Sequence, residues 1–256
     1  MPGRGRERQG DDATVLIGRR PVLELLRAGA PTQKILIAAD LAPSGVLGEI
    51  RRRAEAAAIP LRVVPKEEIE KMARGSNHQG VLALTGRYRY TPLDRLLEVE
   101  RPMVLFLDGI TDPHNLGSLL RSADGAGFAG VVVPAHRSVT VTGAVRRVSA
   151  GAAEVVPVAR VTNLGRALDE AREAGLWVVG LDEKADAPLW SADLLEPPLA
   201  LVLGSEDRGL SRNVRERCDG TVSIPQGGRI SSLNVAVAGA IAMFEAARRK
   251  ASSGTL

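Results

Sequence analysis

A single cysteine, Cys218, stands in the 256 residues. That excludes a disulfide framework and any zinc site built on cysteine pairs. Histidine is nearly as scarce: His78, His114 and His136 lie far apart, with none of the short spacings that bring two imidazoles to one ion. No metal is expected. No apolar run approaches the ~20 residues that a membrane helix needs, so no membrane partner is expected either. The opening stretch MPGRGRERQGDD has no apolar segment and does not read as a secretory signal. Residues 1–13 are expected to form a disordered, mostly basic arm. These absences suit a cytoplasmic protein in a reducing compartment.

The common nucleotide and hydrolase signatures are also missing. There is no G-x-x-x-x-G-K-[ST], no G-x-S-x-G and no H-E-x-x-H. One G-x-G-x-x-G match, GAGFAG at Gly125, Gly127 and Gly130, runs the wrong way for a dinucleotide site. It closes a helix and feeds a strand, whereas the dinucleotide motif follows a strand and opens a helix. Helix-ending glycines account for it.

Hydrophobic residues make up 45% of the chain, enough for a substantial core. The net charge of +4 is unevenly spread. Residues 1–101 hold 18 Lys/Arg against 13 Asp/Glu, and residues 102–256 hold 16 against 17. The positive surplus therefore lies in the N-terminal part, where a polyanion such as nucleic acid is the usual partner.

From about Thr14 to Tyr90, helix-spaced segments (RRPVLELLRAG, GVLGEIRRRAEAAA, KEEIEKMA) alternate with the short apolar runs KILIAA, LRVV and GVLALT. That alternation predicts a small layered α/β domain over residues 14–90. Pro92 and Pro102 bracket a connector with a short helix, residues 91–101. Beyond it, six apolar runs read as strands: MVLFLD, GVVVP, AEVVPV, LWVVGL, LALVLG and TVSI. They are continuous rather than alternating, as strands of a parallel sheet covered on both faces are. This second α/β domain, residues 102–250, should end in a long helix from about Ser231 to Lys250, with residues 251–256 as a flexible tail.

Three polar, glycine-bearing turns follow strands of the second domain. The first, LDGITDPHNLGSLLR, puts Asn115 where a helix cap belongs and carries Arg121 off the buried stripe. The second, LALVLGSEDRGLS, places Gly204, Ser205, Glu206 and Gly209 at the end of a buried strand, where ligands bind in open α/β sheets. The third, IPQGGRISSLNV, brings Ser232 and Asn234 to the start of the last helix, whose first N–H groups lack internal partners. Taken singly, each turn has an ordinary reading as a cap or a strand-to-helix connection. Three such turns at strand ends of one domain point to a single cleft with several walls.

The order N-x5-R, G-S-E-x-x-G, I-P-x-x-G-x-x-x-S-L-N-V resembles motifs one to three of the SpoU (TrmH) family of SPOUT-class RNA ribose 2′-O-methyltransferases. Here they read NLGSLLR (Asn115 to Arg121), GSEDRG (Gly204 to Gly209) and IPQGGRISSLNV (Ile224 to Val235). IGRRPVLELL and SNHQGVLAL are similar to the L30e-like substrate-binding domain of the branch that methylates a guanosine of 23S rRNA. Gln226, where methionine is usual, and Ala236, where serine is common, depart from the pattern. A 2′-O-methyltransferase of the same family acting on tRNA or on another rRNA site, or a non-catalytic RNA-binding relative, are the alternative readings.

The resemblance implies a trefoil knot in the C-terminal domain, a homodimer with the terminal helix near its interface, and an RNA substrate, rRNA first. It implies S-adenosyl-L-methionine as methyl donor and no metal. Gly204, Ile224 and Leu233 would contact this cofactor largely through backbone groups, together with Leu203, Ser205, Gly209, Pro225 and Gly228 on the same loops. Arg121 would be the central catalytic residue. A guanidinium stays protonated at pKa values above about 12, so it suits a phosphate clamp better than a base. Asn115 would orient Arg121 or the ribose, Glu206 would hold that network, and Ser232 and Asn234 would complete the polar wall.

Overall fold

A computed structural model describes residues 14–190, 193–228 and 232–252. The chain divides into two compact units, Met1–Tyr88 and Arg89–Leu256.

The first unit contains strand β1 (Thr14–Ile17), helix α1 (Arg19–Arg27), β2 (Thr32–Ala38), α2 (Gly45–Ala56), β3 (Leu61–Val64), α3 (Lys66–Ala73) and β4 (Val81–Thr85). The sheet order is β1-β4-β2-β3. β4 runs antiparallel to both β1 and β2, and β2 is parallel to β3. Successive residues of a strand face opposite sides, and here they fill two cores. Ile35, Ile37, Val81 and Ala83 pack with Val22, Leu25, Leu26 and Ile50 from α1 and α2. Leu36, Ala38 and Leu82 pack with Ile69 of α3. Strand β1 was not expected from its sequence. Its four residues are too short a run to mark a strand alone, and its identity comes from pairing with β4.

The second unit begins with α4 (Leu93–Leu97) and β5 (Met103–Leu107). It continues through α5 (Pro113–Gly125), β6 (Gly130–Pro134), α6 (Gly143–Val148), α7 (Ala152–Val155), β7 (Val158–Val161), α8 (Leu164–Glu173) and β8 (Trp177–Leu181). It ends with β9 (Leu199–Leu203), α9 (Arg212–Arg215), β10 (Gly220–Val222) and α10 (Val235–Ser252). The six strands form one sheet in the order β10-β8-β9-β5-β6-β7, and every pair is parallel. β5 and β9 are buried along their whole length, as central strands covered on both faces must be. Phe106, Val132, Val178 and Val202 face a core completed by Leu168 of α8 and Val214 of α9.

Helix α10 lies against α5 and β9. Gly239 makes this approach possible, because a Cβ there would stand 2.6 Å from both Leu119 Cδ2 and Leu203 Cδ1. The helix continues to Ser252, so Ala251 and Ser252 are helical rather than tail. Residues 1–13 and 253–256 of the predicted arm and tail lie outside the described residues, as does Ser231.

Two local expectations are corrected. AEVVPV is not a strand: Ala152–Val155 is a short helix, and the strand is Val158–Val161. Pro157 between them has no N–H for the ladder, which makes it a natural boundary. The residues read as a connector pack onto the second unit. Thr91 N donates to Val158 O at 2.8 Å, and Leu96 of α4 joins the core beneath β5 and β6.

The strand order reverses direction between β5 and β9. β5, β6 and β7 progress to one edge, and the chain then returns beyond β5 to place β8, β9 and β10 on the other side. In open parallel sheets a crevice forms outside the carboxyl ends of strands at such a switch. The first two polar turns sit there, one after β5 and one after β9.

Candidate active site

The turn after β9 is built by steric exclusion. A Cβ on Gly204 would stand 2.1 Å from the carbonyl carbon of Gly209, so only glycine lets the two backbone segments cross. Ser205 and Gly209 then exchange backbone hydrogen bonds, Ser205 N to Gly209 O at 3.1 Å and Gly209 N to Ser205 O at 2.9 Å. Gly209 has φ +64°, a value that L side chains rarely adopt. The result is a tight loop with Glu206 near its tip. The loop is anchored to β5 from below, where Asp108 Oδ2 accepts from Ser211 N at 2.7 Å.

The turn after β5 differs from the sequence expectation. Asp112, not Asn115, caps α5, accepting from His114 N at 2.9 Å, with Pro113 in the first helical position it suits. Asn115 is thereby moved into the first turn and is buried, at 7% exposure. The cap of α10 is Asn234. Asn234 Oδ1 accepts from Ala236 N at 3.0 Å and Val237 N at 3.3 Å.

The three turns meet through side chains. Asn234 Nδ2 donates to Asn115 Oδ1 at 3.0 Å and to Glu206 Oε1 at 2.6 Å. Glu206 Oε1 also accepts from Val235 N at 3.2 Å, adding a carboxylate to the positive end of α10. Asn115, Glu206 and Asn234 therefore form one hydrogen-bonded cluster.

Two cavities meet at Glu206, which borders both, and Asn115 borders the second. The first is bordered by Leu203, Gly204, Ser205, Glu206, Gly209, Ile224, Gln226, Ser232 and Leu233. Pro225 and Gly228 are on the same loop but do not border it. Gly227 is not in the left-handed region and has open space around it, so its turn does not demand glycine. The loop after β8 also borders this cavity, with Asp182, Glu183 and Lys184, and no motif in the sequence had marked it. Asp182 is buried, pairs with Arg215 of α9 and accepts from Lys184 N at 2.9 Å, which fixes the loop. A carboxylate at the end of a fully apolar strand was the available signal.

The second cavity encloses about 600 Å³. Asn115, Glu206, Asp108, His136, Asn163 and Asn213 are among its walls.

Arg121 stands apart. It is exposed on α5, borders neither cavity and has no hydrogen-bond or ion-pair partner among the described residues. Six residues beyond Asn115, it lies roughly 9 Å further along the helix and about 240° around it. No cluster of three or more His, Cys, Asp or Glu that could hold a metal occurs among the described residues. No described helix is long and apolar enough to cross a membrane.

Residues 102–244 match the SpoU rRNA Methylase family, and residues 15–91 match the family described as RNA 2′-O ribose methyltransferase substrate binding. The putative TrmH family tRNA/rRNA methyltransferase YacO of Bacillus subtilis is 40% identical over 240 residues, covering 92% of this chain and 95% of that one. An uncharacterized tRNA/rRNA methyltransferase of Mycolicibacterium vanbaalenii is 41% identical over 254 residues, covering 97% and 81%. Among solved structures, the SpoU methyltransferase AviRb of Streptomyces viridochromogenes in complex with AdoMet aligns with a TM-score of 0.81 at 29% identity, over 98% of this chain and 95% of that one. The A. aeolicus TrmH/SpoU tRNA modifying enzyme aligns with a TM-score of 0.55 at 25% identity, over 64% and 83%.

Proposed function

Because the chain belongs to the SpoU rRNA methylase family, we propose that it transfers a methyl group from S-adenosyl-L-methionine to a ribose 2′-hydroxyl of RNA, the acceptor being a guanosine of 23S rRNA. The observation that carries this reading is the Asn115–Glu206–Asn234 cluster, which ties three separate turns together at Glu206, the residue that borders both cavities.

The first cavity suits the methyl donor. Leu203, Ile224, Leu233 and Val235 supply apolar walls for a flat base, and Asp182 and Glu183 supply carboxylates for a ligand carrying a sulfonium and an ammonium. Gly204, Ser205 and Gly209 present backbone groups on one side, and Pro225 and Gly228 shape the loop on the other. When bound, this cofactor supplies an already activated methyl group. The chain's own work is then to orient the hydroxyl, exclude water and accept a proton. Asn115, Glu206, Ser232 and Asn234 form the polar wall for that work. In this reading the C-terminal segment closes the cofactor loops as a trefoil knot.

RNA is held in part by the N-terminal unit. There, the start of α1 is tied to the loop before β4, sixty residues away, Arg19 Nε donating to Gln79 O at 2.9 Å. Arg20 in the first turn of α1 and His78 on that loop are assigned to a phosphate backbone. Arg121, exposed and unpaired among the described residues, is assigned to an RNA phosphate. We also propose a cytoplasmic homodimer. Val237 and Phe244, both about half exposed, make an apolar stripe on α10 two turns apart. Phe244 lies against the Gly125 end of α5, one turn from Arg121, so a dimer through this face places Arg121 at the interface.

The test is to map 2′-O-methylation across rRNA and tRNA in cells lacking the protein, and to restore the lost mark with purified protein and S-adenosylmethionine. A 23S rRNA guanosine should lose its mark. A missing tRNA mark would move the acceptor to tRNA, and an unchanged map would overturn the reading.

A further inference from the structure

The hydrogen-bond inventory of the cluster can be completed atom by atom. A primary amide has two N–H donors and one carbonyl oxygen with two acceptor positions. Asn234 uses all four: Oδ1 accepts from Ala236 N and Val237 N, and Nδ2 donates to Asn115 Oδ1 and Glu206 Oε1. The two backbone donors settle which way the Asn234 amide faces, because reversing it would set N–H against N–H. That orientation in turn requires an acceptor on Asn115, so Asn115 turns its Oδ1 toward Asn234. Asn234 has no remaining donor for a substrate and is a positioning residue.

Two groups are left over. Asn115 Nδ2 and Glu206 Oε2 have no hydrogen-bond partner among the described residues, and both side chains border the second cavity. One is a donor and the other an acceptor, the complement that a single hydroxyl group requires. Glu206 alone of the pair also borders the first cavity, on the donor side. The second cavity, at about 600 Å³, is within the roughly 300–1,000 Å³ of ligand sites and admits a nucleotide.

Resting on the methyl-transfer reading above, we propose that the acceptor nucleotide enters by the second cavity and that Glu206 is the catalytic residue that takes the proton from its 2′-hydroxyl. Asn115 Nδ2 donates to the hydroxyl oxygen and aims it. The O–H bond breaks toward Glu206 Oε2. The oxygen bonds the methyl carbon as the carbon–sulfur bond breaks, and that electron pair returns to sulfur. A carboxylate is a weak base for a free hydroxyl, but the oxygen becomes strongly acidic as it gains the methyl group. Proton transfer late in the step is therefore downhill, and the exposed carboxylic acid then releases the proton to water.

The test separates this role from a structural one. In Glu206→Gln the amide oxygen still accepts from Asn234 Nδ2 and Val235 N, so the cap and cluster survive while Oε2 becomes a donor. With synthetic RNA spanning the mapped position, turnover by E206Q should fall at least ~100-fold, with S-adenosylmethionine affinity by calorimetry held within about threefold. Without cofactor, the wild-type protein should bind the ribose form of that RNA roughly tenfold more tightly than the 2′-deoxy form, which lacks the hydroxyl that both groups bond. Asn115→Ala should abolish that preference. Wild-type turnover with E206Q within about threefold of it, or equal binding of ribose and deoxyribose RNA, would overturn the proposal alone. A wild-type protein that forms no 2′-O-methylated product would overturn the underlying reading as well.

Discussion

Asn234 and Asn115, 119 residues apart in the chain, share a side-chain hydrogen bond of 3.0 Å. The bond joins the start of α10 to the first turn of α5. The same Asn234 amide caps α10 and holds Glu206. One side chain thus both caps the last helix and links the three turns.

Substitution at Asn234 should separate the two consequences. Asn234→Ala should cost about 1–2 kcal/mol of stability through the lost cap and should also abolish methyl transfer. Asn234→Ser restores a good capping hydroxyl without the amide that reaches Asn115 and Glu206. Thermal unfolding should recover in the serine variant, and methyl transfer should not.

Gly204→Ala adds a carbon 2.1 Å from the Gly209 carbonyl carbon, and the atom it meets is backbone rather than a movable side-chain end. The turn has to open, with a loss of ~3 kcal/mol in urea unfolding. Calorimetry with S-adenosylmethionine should show no binding. Wild-type affinity in this variant would mean that the crossing of the two segments does not shape the cofactor cavity.

Arg121→Ala should leave the unfolding free energy within about 0.5 kcal/mol of wild type, as an exposed substitution without described partners does. Cofactor binding should also be unchanged. Methyl transfer to RNA should drop ~100-fold or more if the guanidinium clamps a phosphate during the reaction. Residual turnover near the wild-type rate would remove Arg121 from the mechanism.

Glu245 tests the packing of α10 through pH. Its carboxylate is mostly buried and accepts from Arg248 and from Arg249, and these bonds hold its pKa down to about 2 from an ordinary 4.5. A depressed carboxylate stabilises the fold above its unfolded pKa, and that contribution is lost as the pH falls through the folded one. Glu245→Gln should therefore be less stable than wild type at pH 7, by about 2 kcal/mol. The gap should narrow between pH 4.5 and 2. Parallel denaturation curves across that window provide the measurement.

Much of this was legible in the sequence because it is local. The apolar runs MVLFL and LALVL are long enough and continuous enough to be central parallel strands, and they are β5 and β9. The polar turns after those runs were marked by glycine and by side chains that do not belong to a buried stripe. What was misread depended on partners. β1 is a strand because β4 is beside it. Ala152–Val155 is helical although its neighbours looked like one strand. Asp112 displaces Asn115 from the cap because Pro113 takes the first helical position.

The sequence by itself determined the family, the α/β character of both units and the identity of the polar turns, since composition, periodicity and motif spacing are properties of neighbouring residues. Only the tertiary structure decided how those turns combine. It saturated Asn234, buried Asn115, left one oxygen of Glu206 without a partner among the described residues, added Asp182 to the wall of the first cavity and set Arg121 outside it. The physical reason is that a hydrogen-bond inventory closes only when every donor has its acceptor in place. For this cluster the partners come from three strand ends that meet only once the parallel sheet has formed.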